Sequence, residues 1–104
     1  MEAFTEQAVA IIKAIPPGHV MTYGQVASEA GNPRGARQIS RILHSMSAKY
    51  DLPWHRIINA QGGISTPDHA EDKGNTQRER LISEGVQFNE NGRISLDTYR
   101  WHPE

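Results

Sequence analysis

The sequence predicts an α+β fold within one small domain, residues 1–104. Segments with helical spacing of apolar residues occupy the first half, and short apolar runs separated by glycine-containing turns occupy much of the second. The order of these segments is a further indication, because a short helix, a sharp turn, a second helix and a strand–turn–strand unit predict a helix-turn-helix followed by a β-hairpin wing. We therefore expect a winged-helix-like architecture.

The composition limits the classes of function that this chain can carry. With 104 residues and 37% hydrophobic residues, it can bury one modest core and has no room for a second catalytic domain. Cysteine is absent, which excludes disulfides, thiolate metal sites and thiol nucleophiles. Glu2 and Glu6 lie where a secretory signal carries basic residues, and no apolar run is long enough to span a bilayer. We expect a soluble, cytoplasmic protein without membrane contact.

The charge is unevenly distributed, although the net charge is only -1. From residue 13 to residue 56 there are six basic and two acidic residues, a local balance of +4, whereas the rest of the chain has five basic and ten acidic residues. The six are Lys13, Arg34, Arg37, Arg41, Lys49 and Arg56, and the two are Glu29 and Asp51. This division favours one face for a polyanion, and an ordinary solvated surface is the alternative.

The first two predicted helices follow from apolar spacing and capping residues. Residues 4–15 form an amphipathic helix that ends at the "PPGH" segment. Its apolar residues are Phe4, Ala8, Ile11, Ile12 and Ile15. Thr22 caps a second helix, with Gln25 completing a capping box and Gly31 ending the helix. The inward residues of this second helix are Val26, Ala27 and Ala30.

The third helix is expected to begin directly after Gly31, with Asn32 as its cap and Pro33 as its first residue. Its apolar face comprises Ala36, Ile39, Ile42, Leu43 and Met46. Its outward face is basic and polar, and comprises Arg34, Arg37, Gln38, Arg41 and Ser45, which are the candidate contacts to the groove and backbone of a nucleic acid. In a helix-turn-helix the second helix approaches a nucleic-acid groove. An ordinary three-helix core shows the same pattern and is the alternative.

The next segment predicts the wing. After a loop over residues 47–55, residues 56–65 read as a strand, a Gly62–Gly63 turn and a returning strand. A hairpin directly after a helix-turn-helix lies where a wing lies, and this strengthens the nucleic-acid interpretation.

The last part of the chain predicts one more helix and a second hairpin. A helix is expected near residues 75–85, capped by Asn75 and ended by Gly85. Residues 86–96 then read as two short strands around the turn "NENG". The tail aromatics Tyr99 and Trp101 are expected to fill the core and not to contact a ligand.

Three sequence motifs together carry a family resemblance. They are "TYGQVASEAGNPRGARQISRIL", "PWHRIINAQGGIS" and the "EGV" that ends a helix. In this order and spacing they resemble the DNA-binding domain of the O6-alkylguanine-DNA alkyltransferases, whose reactive motif reads Pro-Cys-His-Arg. Trp54 stands where that cysteine would be. The chain is therefore identified as similar to the alkyltransferase-like proteins, which lack the nucleophile, and the similarity runs over about residues 4 to 88.

The resemblance implies roles for three residues in binding the lesion. Tyr23 matches a tyrosine that crowds the phosphate 3′ of the target nucleotide and helps to rotate it outward. Arg37 matches the arginine that enters the duplex and fills the gap left by the everted base, with the recognition helix in the minor groove. Trp54 would line the pocket that receives the alkylguanine. Without the family, Arg37 would be assigned to a phosphate contact, Tyr23 to packing at a helix start and Trp54 to core packing.

The resemblance also implies a framework around Trp54 and excludes the family's chemistry. Pro53, His55 and Arg56 match the rest of the reactive motif. Direct dealkylation needs a soft, activated nucleophile, and an indole ring is far too poor a nucleophile at neutral pH. In the family the histidine activates the cysteine through water, and here there is no cysteine for it to activate. We therefore expect no catalytic residue and no enzyme activity.

No cofactor or metal is expected. The five histidines never fall at metal-ligand spacing with a partner; they are His19, His44, His55, His69 and His102. The "GNPRGAR" segment lacks the Gly-Lys-Ser/Thr ending of a phosphate-cradling loop, and no serine lies in a nucleophile-elbow context.

One departure from the family concerns lesion preference. Some alkyltransferase-like relatives have an arginine after the wing that contacts the alkylated base, whereas this chain has Thr66 and Pro67 at that place. Lys73 and Arg78 are the candidate substitutes.

The expected function is binding of O6-alkylguanine in double-stranded DNA by a monomer, eversion of the damaged nucleotide, and handover to nucleotide excision repair proteins. Extrusion of a base costs a few kcal/mol, and less where a damaged pair is already weakened. Two alternatives remain at the level of sequence. One is a winged-helix transcription regulator, and the other is an enzyme that dealkylates by another nucleophile or by hydrolysis.

Overall fold

The computed structural model describes residues 3–64 and 77–103. The helices are α1 (Ala3–Ala14), α2 (Tyr23–Glu29), α3 (Ala36–Tyr50), α4 (Gln77–Ser83) and α5 (Leu96–Tyr99). The strands are β1 (Met21–Thr22) and β2 (Ile57–Ile58), and a single 3₁₀ turn covers Trp54–Arg56. The predicted α+β class is confirmed. None of the described helices is long and apolar enough to cross a membrane.

The main core lies between α1, α2 and α3. Each helix buries the apolar stripe that its sequence predicts, because residues three and four apart share one side of a helix. The buried residues of these helices include Ala8, Ile12, Val26, Ala27, Ile39, Ile42 and Leu43. Full burial of one such isoleucine stabilises the fold by about 1.5–3 kcal/mol. Tyr23, Trp54 and Trp101 pack against this core from its edge.

The two strands separate the main core from a second apolar cluster. β1 and β2 pair in parallel, with Met21 opposite Ile57 and Thr22 opposite Ile58. Because side chains alternate across a strand, Met21 and Ile57 join the main core whereas Ile58 joins the second cluster. The buried residues of the second cluster are Val20, Ile58, Leu81, Val86 and Ile94.

The C-terminal tail forms backbone hydrogen bonds to Val20, the residue before β1. The Val20 N–H donates to the Tyr99 carbonyl at 2.9 Å, and the Trp101 N–H donates to the Val20 carbonyl at 2.8 Å. Tyr99 packs against the second cluster and Trp101 against the main core. The packing role expected for both tail aromatics is confirmed.

The predicted bounds of the third helix are wrong at both ends. The Asn32 side chain accepts from the Arg34 N–H at 3.2 Å, and the Asn32 carbonyl accepts from the Gly35 N–H at 2.9 Å. Asn32 therefore closes a turn, and α3 begins only at Ala36, so Arg34 lies in this turn and not on the helix. At the other end α3 continues through residues expected to be a loop and ends at Asp51, whose φ is 53°.

The first strand of the predicted wing has a partner that the sequence did not indicate. Ile57–Ile58 forms a strand that pairs in parallel with β1. The turn itself is present, with the Asn59 N–H donating to the Gly63 carbonyl at 3.0 Å. The predicted return strand runs into residues 65–76, which lie outside the described residues.

The other capping and hairpin predictions are mostly confirmed. Thr22 Oγ1 accepts from the Gln25 N–H at 3.0 Å, but the Gln25 side chain donates to the Trp101 carbonyl at 2.6 Å instead of completing the capping box. The second hairpin is reduced to a single antiparallel bridge between Phe88 and Ile94. In α4 the predicted end at Gly85 is confirmed by its φ of 95°, and Asn75 lies outside the described residues.

Two turns have the same hydrogen-bond pattern. Asn59 and Asn89 each accept two backbone N–H groups through the side-chain oxygen, from residues two and four positions later. The fourth residue of each turn is a glycine with positive φ, Gly62 at 84° and Gly92 at 77°. The first turn is packed against the second hairpin, since the Ile94 N–H donates to the Gly62 carbonyl at 2.8 Å.

These paired turns predict unequal effects of the same substitution. A Cβ at residue 62 would lie 2.4 Å from the Ile94 carbonyl oxygen, whereas a Cβ at residue 92 would meet nothing within 4 Å. Gly92→Ala therefore lowers the free energy of unfolding by about 1–2 kcal/mol, the cost of positive φ alone. Gly62→Ala lowers it further because the backbone must also shift. Urea unfolding measures both, and equal losses would contradict the close packing at Gly62.

Candidate nucleic-acid interface

The outward face of α3 carries the predicted DNA contacts at the surface. Arg37, Gln38, Arg41 and Ser45 are exposed, and Ile39, Ile42 and Leu43 on the opposite side are buried. The Ser45 hydroxyl donates to the Arg41 carbonyl at 2.9 Å, and the Asn32 side-chain amide donates to Gln38 Oε1 at 3.4 Å. Arg34 is also exposed, in the turn that precedes the helix. The face is thus basic and open to a ligand.

Tyr23 lies at the first residue of α2, immediately after its cap Thr22. Its ring is partly buried against the main core. Because the Thr22 side chain holds the first turn of the helix, the direction in which the Tyr23 side chain leaves the backbone is fixed by the capping geometry.

Trp54 is partly buried at the edge of the main core, in the 3₁₀ turn after Pro53. The Arg80 guanidinium lies over its indole ring, 5.2 Å from the ring centroid. The His55 ring approaches the indole edge-on, with the centroids 6.1 Å apart and an interplanar angle of 86°. The indole is therefore held between the core, an imidazole and a cation.

Glu84 holds the segment that follows Trp54. Its carboxylate accepts from Arg56 Nε at 3.0 and 3.2 Å and from Arg56 Nη2 at 2.6 Å. His55 Nε2 lies 2.8 Å from Glu84 Oε2, and the Gly18 N–H donates to Glu84 Oε1 at 3.1 Å. Arg56 Nη1 also donates to the Ile15 carbonyl at 2.9 Å. One carboxylate thus ties the 3₁₀ turn to the loop after α1.

The protonation states at this site follow from burial and hydrogen bonding. Burial alone would raise the pKa of Glu84, but hydrogen bonds from Arg56, His55 and the Gly18 N–H lower it to about 2. Burial lowers the pKa of His55 below its usual value of 6.5, against the opposing effect of Glu84. At neutral pH the imidazole is uncharged and donates Nε2–H to Glu84. Its Nδ1 is buried without a hydrogen-bond partner among the described residues.

Gln77 fixes the backbone of the same segment from α4. Its side chain is 3% exposed, and its amide donates to the His55 carbonyl at 3.0 Å and to the Ile57 carbonyl at 2.8 Å. α4 thus supplies Gln77 and Arg80, and Glu84 follows the helix directly. All three contact the 3₁₀ turn.

Sequence reasoning missed these three residues. For Glu84 a signal was available, because an acidic side chain at the C-terminal end of a helix opposes the helix dipole and calls for a tertiary partner. Of the proposed substitutes for the missing arginine, Arg78 stacks on Phe88 at 4.9 Å instead, and Lys73 lies outside the described residues, as do Thr66 and Pro67. Among residues 3–64 and 77–103, the cation that lies over Trp54 is Arg80.

The described residues contain no group of three or more histidine and acidic side chains that could hold a metal ion. The carboxylate and imidazole that do meet, Glu84 and His55, are already engaged with each other and with Arg56.

Comparison with known proteins identifies the family. Residues 3–86 match the family model described as "6-O-methylguanine DNA methyltransferase, DNA binding domain". The chain is 42% identical over 103 residues to the DNA base-flipping protein of Escherichia coli, covering 97% of this chain and 76% of that protein. It is 33% identical over 107 residues to alkyltransferase-like protein 1 of Schizosaccharomyces pombe, covering 99% and 98% of the two chains. The chain belongs to the alkyltransferase-like family.

Solved structures of the family have the same fold as this alkyltransferase-like chain. The crystal structure of the S. pombe protein in complex with damaged DNA containing O6-carboxymethylguanine superimposes with a TM-score of 0.81, at 34% identity over 99% of this chain and 98% of that one. A second structure of the S. pombe protein with DNA gives the same TM-score. The individual roles assigned to Tyr23, Arg37 and Trp54 stay predictions.

The Glu84 contacts predict a specific loss of stability. Glu84→Gln leaves Arg56 and His55 without their carboxylate, and breaking such a largely buried pair costs about 3 kcal/mol. Glu90→Gln is the control, because Glu90 is exposed in the turn after Phe88. Urea unfolding at pH 7.5 measures both variants, and similar small losses would show that the Glu84 carboxylate contributes little to the fold.

The same contacts predict that acid destabilises the protein in two steps. The folded pKa of His55 lies below 6.5, so the unfolded chain binds a proton first and stability falls as the pH drops below about that value. The folded pKa of Glu84 is about 2 against 4.5 for the free group, so its contribution is complete above 4.5 and is lost towards 2. In Glu84→Gln the second step is expected to disappear, and its persistence would assign it to other carboxylates.

Proposed function

We propose that this protein recognises O6-alkylguanine in duplex DNA, everts the damaged nucleotide and holds it without repairing it. The observation that carries the proposal is the half-buried Trp54, an inert ring at the place of the family's reactive cysteine, within a Pro-Trp-His-Arg segment that Glu84 and Gln77 hold rigidly. The exposed basic face of α3 supplies the charge that such binding needs.

The relatives support both halves of the proposal. One relative bears the name DNA base-flipping protein, and the S. pombe relative is crystallised with DNA containing O6-carboxymethylguanine. These names describe recognition of a damaged or everted base and not its chemical repair.

The proposed roles at the lesion follow from physical chemistry. Arg37 is exposed near the start of α3, where its planar guanidinium can enter the minor groove, stack in the gap and hydrogen-bond to the orphaned base. Tyr23, at the start of α2, crowds the phosphate and favours rotation of the nucleotide. Trp54 offers an apolar surface to the everted base, and one such base contact contributes about 1–3 kcal/mol.

The absence of catalysis is proposed from the chemistry of the site. Trp54 has no soft nucleophile to offer an alkyl carbon. The neutral His55 is the other candidate, but its Nε2–H is directed at Glu84 and its Nδ1 is buried, so neither nitrogen faces an incoming alkyl group. A complex that holds the lesion without removing it would then mark the site for nucleotide excision repair proteins. In this proposal the protein is cytoplasmic and binds DNA as a monomer.

The test of lesion recognition is a competition between duplexes that differ only in one O6-methylguanine. The protein is expected to prefer the methylated duplex, and no preference would overturn the proposal. A preference for one undamaged sequence over others would point to a transcription regulator instead. Arg37→Ala is expected to lower lesion affinity by about 1–3 kcal/mol, while Arg93→Ala, an exposed arginine in the last turn, is expected to leave it unchanged.

Trp54 is tested by two substitutions. Trp54→Ala is expected to weaken binding to O6-methylguanine duplex by about 1–3 kcal/mol and binding to undamaged duplex less; equal losses would return Trp54 to a packing role. Incubation with DNA carrying a labelled methyl group is expected to leave the natural protein unlabelled. Trp54→Cys in the same assay reports whether the pocket still places the alkyl carbon near residue 54, and label on the natural protein would contradict binding without chemistry.

A further inference from the structure

Two lysines from different helices converge on one aromatic ring away from the predicted DNA contacts. Lys13 lies in the last turn of α1 and Lys49 in the last turn of α3. The ammonium nitrogen of each lies 5.5 Å from the centroid of the Tyr50 ring. Since both distances end on one centroid, the two nitrogens are no more than twice 5.5 Å apart.

The two charges are not neutralised by ion pairs within the part of the chain that the structure describes. The ion pairs among residues 3–64 and 77–103 end on Glu84, and neither lysine takes part in them. Asp51 follows α3 directly and is exposed, but it forms no ion pair with Lys49 in these ranges. At the largest separation that these distances allow, the two exposed charges are largely screened at physiological ionic strength, where the Debye length is about 8 Å, and they repel more strongly at lower salt. The face of Tyr50 offsets part of this repulsion, and an anion would offset more.

The position of Lys49 on α3 indicates which anion. Lys49 lies four residues after Ser45 and eleven after Gln38, so the three side chains lie along one side of the helix. It is twelve residues from Arg37, which corresponds to about 18 Å along a helix. The rise per nucleotide is about 3.4 Å along the duplex axis. Because a groove is inclined to that axis, about 18 Å of helix spans about three to five nucleotides. A helix laid along a groove therefore carries Lys49 that far from the nucleotide that Arg37 replaces.

We propose that Lys13 and Lys49, held together by Tyr50, bind backbone phosphates of the duplex flank about three to five nucleotides from the everted one. This inference rests on the proposed function for its placement of α3 on DNA. The partner is a nucleic-acid backbone and not an acidic protein, because Lys49 continues the side of α3 that already carries Gln38 and Ser45. Tyr50 contributes by holding both ammonium groups at one place.

The test compares one double variant on duplexes of different arm length. Lys13→Gln with Lys49→Gln is measured against the natural protein on a duplex with a central O6-methylguanine and about ten base pairs on each side. Two further duplexes shorten one or the other arm to about two base pairs, which removes the phosphates about three to five nucleotides from the lesion. Arg93→Gln with Arg100→Gln is the matched control, because it removes the same charge from two exposed residues of the C-terminal part.

The expected result is a loss that depends on one arm. On the long duplex the lysine variant binds on the order of tenfold more weakly near physiological salt, and its slope of log affinity against log salt is shallower by roughly 1.8, for two phosphate contacts. On the duplex in which the contacted arm is shortened, the variant and the natural protein have the same affinity. The arginine control matches the natural protein on all three duplexes. Lysine-to-arginine replacement at both positions keeps the affinity.

Three results would overturn the inference. The first is that the lysine variant binds the long duplex as tightly as the natural protein does. The second is that the variant loses the same affinity on all three duplexes. The third is that the natural protein binds polyglutamate and the variant does not, while their affinities for DNA are equal. Thermal unfolding of each variant shows whether loss of the contacts to Tyr50 has disturbed the fold. A failure of the proposed function is seen separately, because it removes the preference of the natural protein for methylated over intact duplex and leaves the arm-length dependence measurable on intact DNA.

Discussion

The arrangement at Trp54 depends on one carboxylate. Glu84 accepts hydrogen bonds from His55, from Arg56 and from the Gly18 N–H, and these bonds outweigh the cost of its burial, since they hold its pKa near 2. The three partners come from the loop after α1 and from the turn before β2. Loss of the carboxylate would therefore release two segments at once, the loop after α1 and the turn that contains Trp54.

The parallel pair of β1 and β2 divides the molecule into a recognition part and a support. On one side lie α1, α2 and α3, with the exposed Arg37 and the half-buried Tyr23 and Trp54. On the other side lie α4 and the C-terminal hairpin, whose cluster includes Leu81. α4 serves both parts, because it buries Leu81 in the second cluster while Gln77 and Arg80 contact the 3₁₀ turn. Glu84, directly after α4, contacts the same turn.

The chemistry of the site separates recognition from repair. An everted purine needs an apolar wall, a group to replace it in the stack and cations near the phosphates, and Trp54, Arg37 and the face of α3 can provide these without any nucleophile. His55 and Glu84 are hydrogen-bonded to each other beside Trp54, whose indole offers no thiol or hydroxyl for them to activate. In our proposal the hydrogen bonds therefore act to position Trp54 and not to transfer protons.

The sequence by itself determined the α+β class, the buried stripes of α1 to α3, and the caps at Thr22 and Gly85. These are local properties, because helical spacing and capping depend on residues within a few positions of one another. Only the tertiary structure decided the partner of β2, the contacts of Glu84 to residues 28 and 29 positions away, and the placement of Arg80 over Trp54. Such contacts form when distant segments pack and exclude water, and no local pattern encodes which segments will meet.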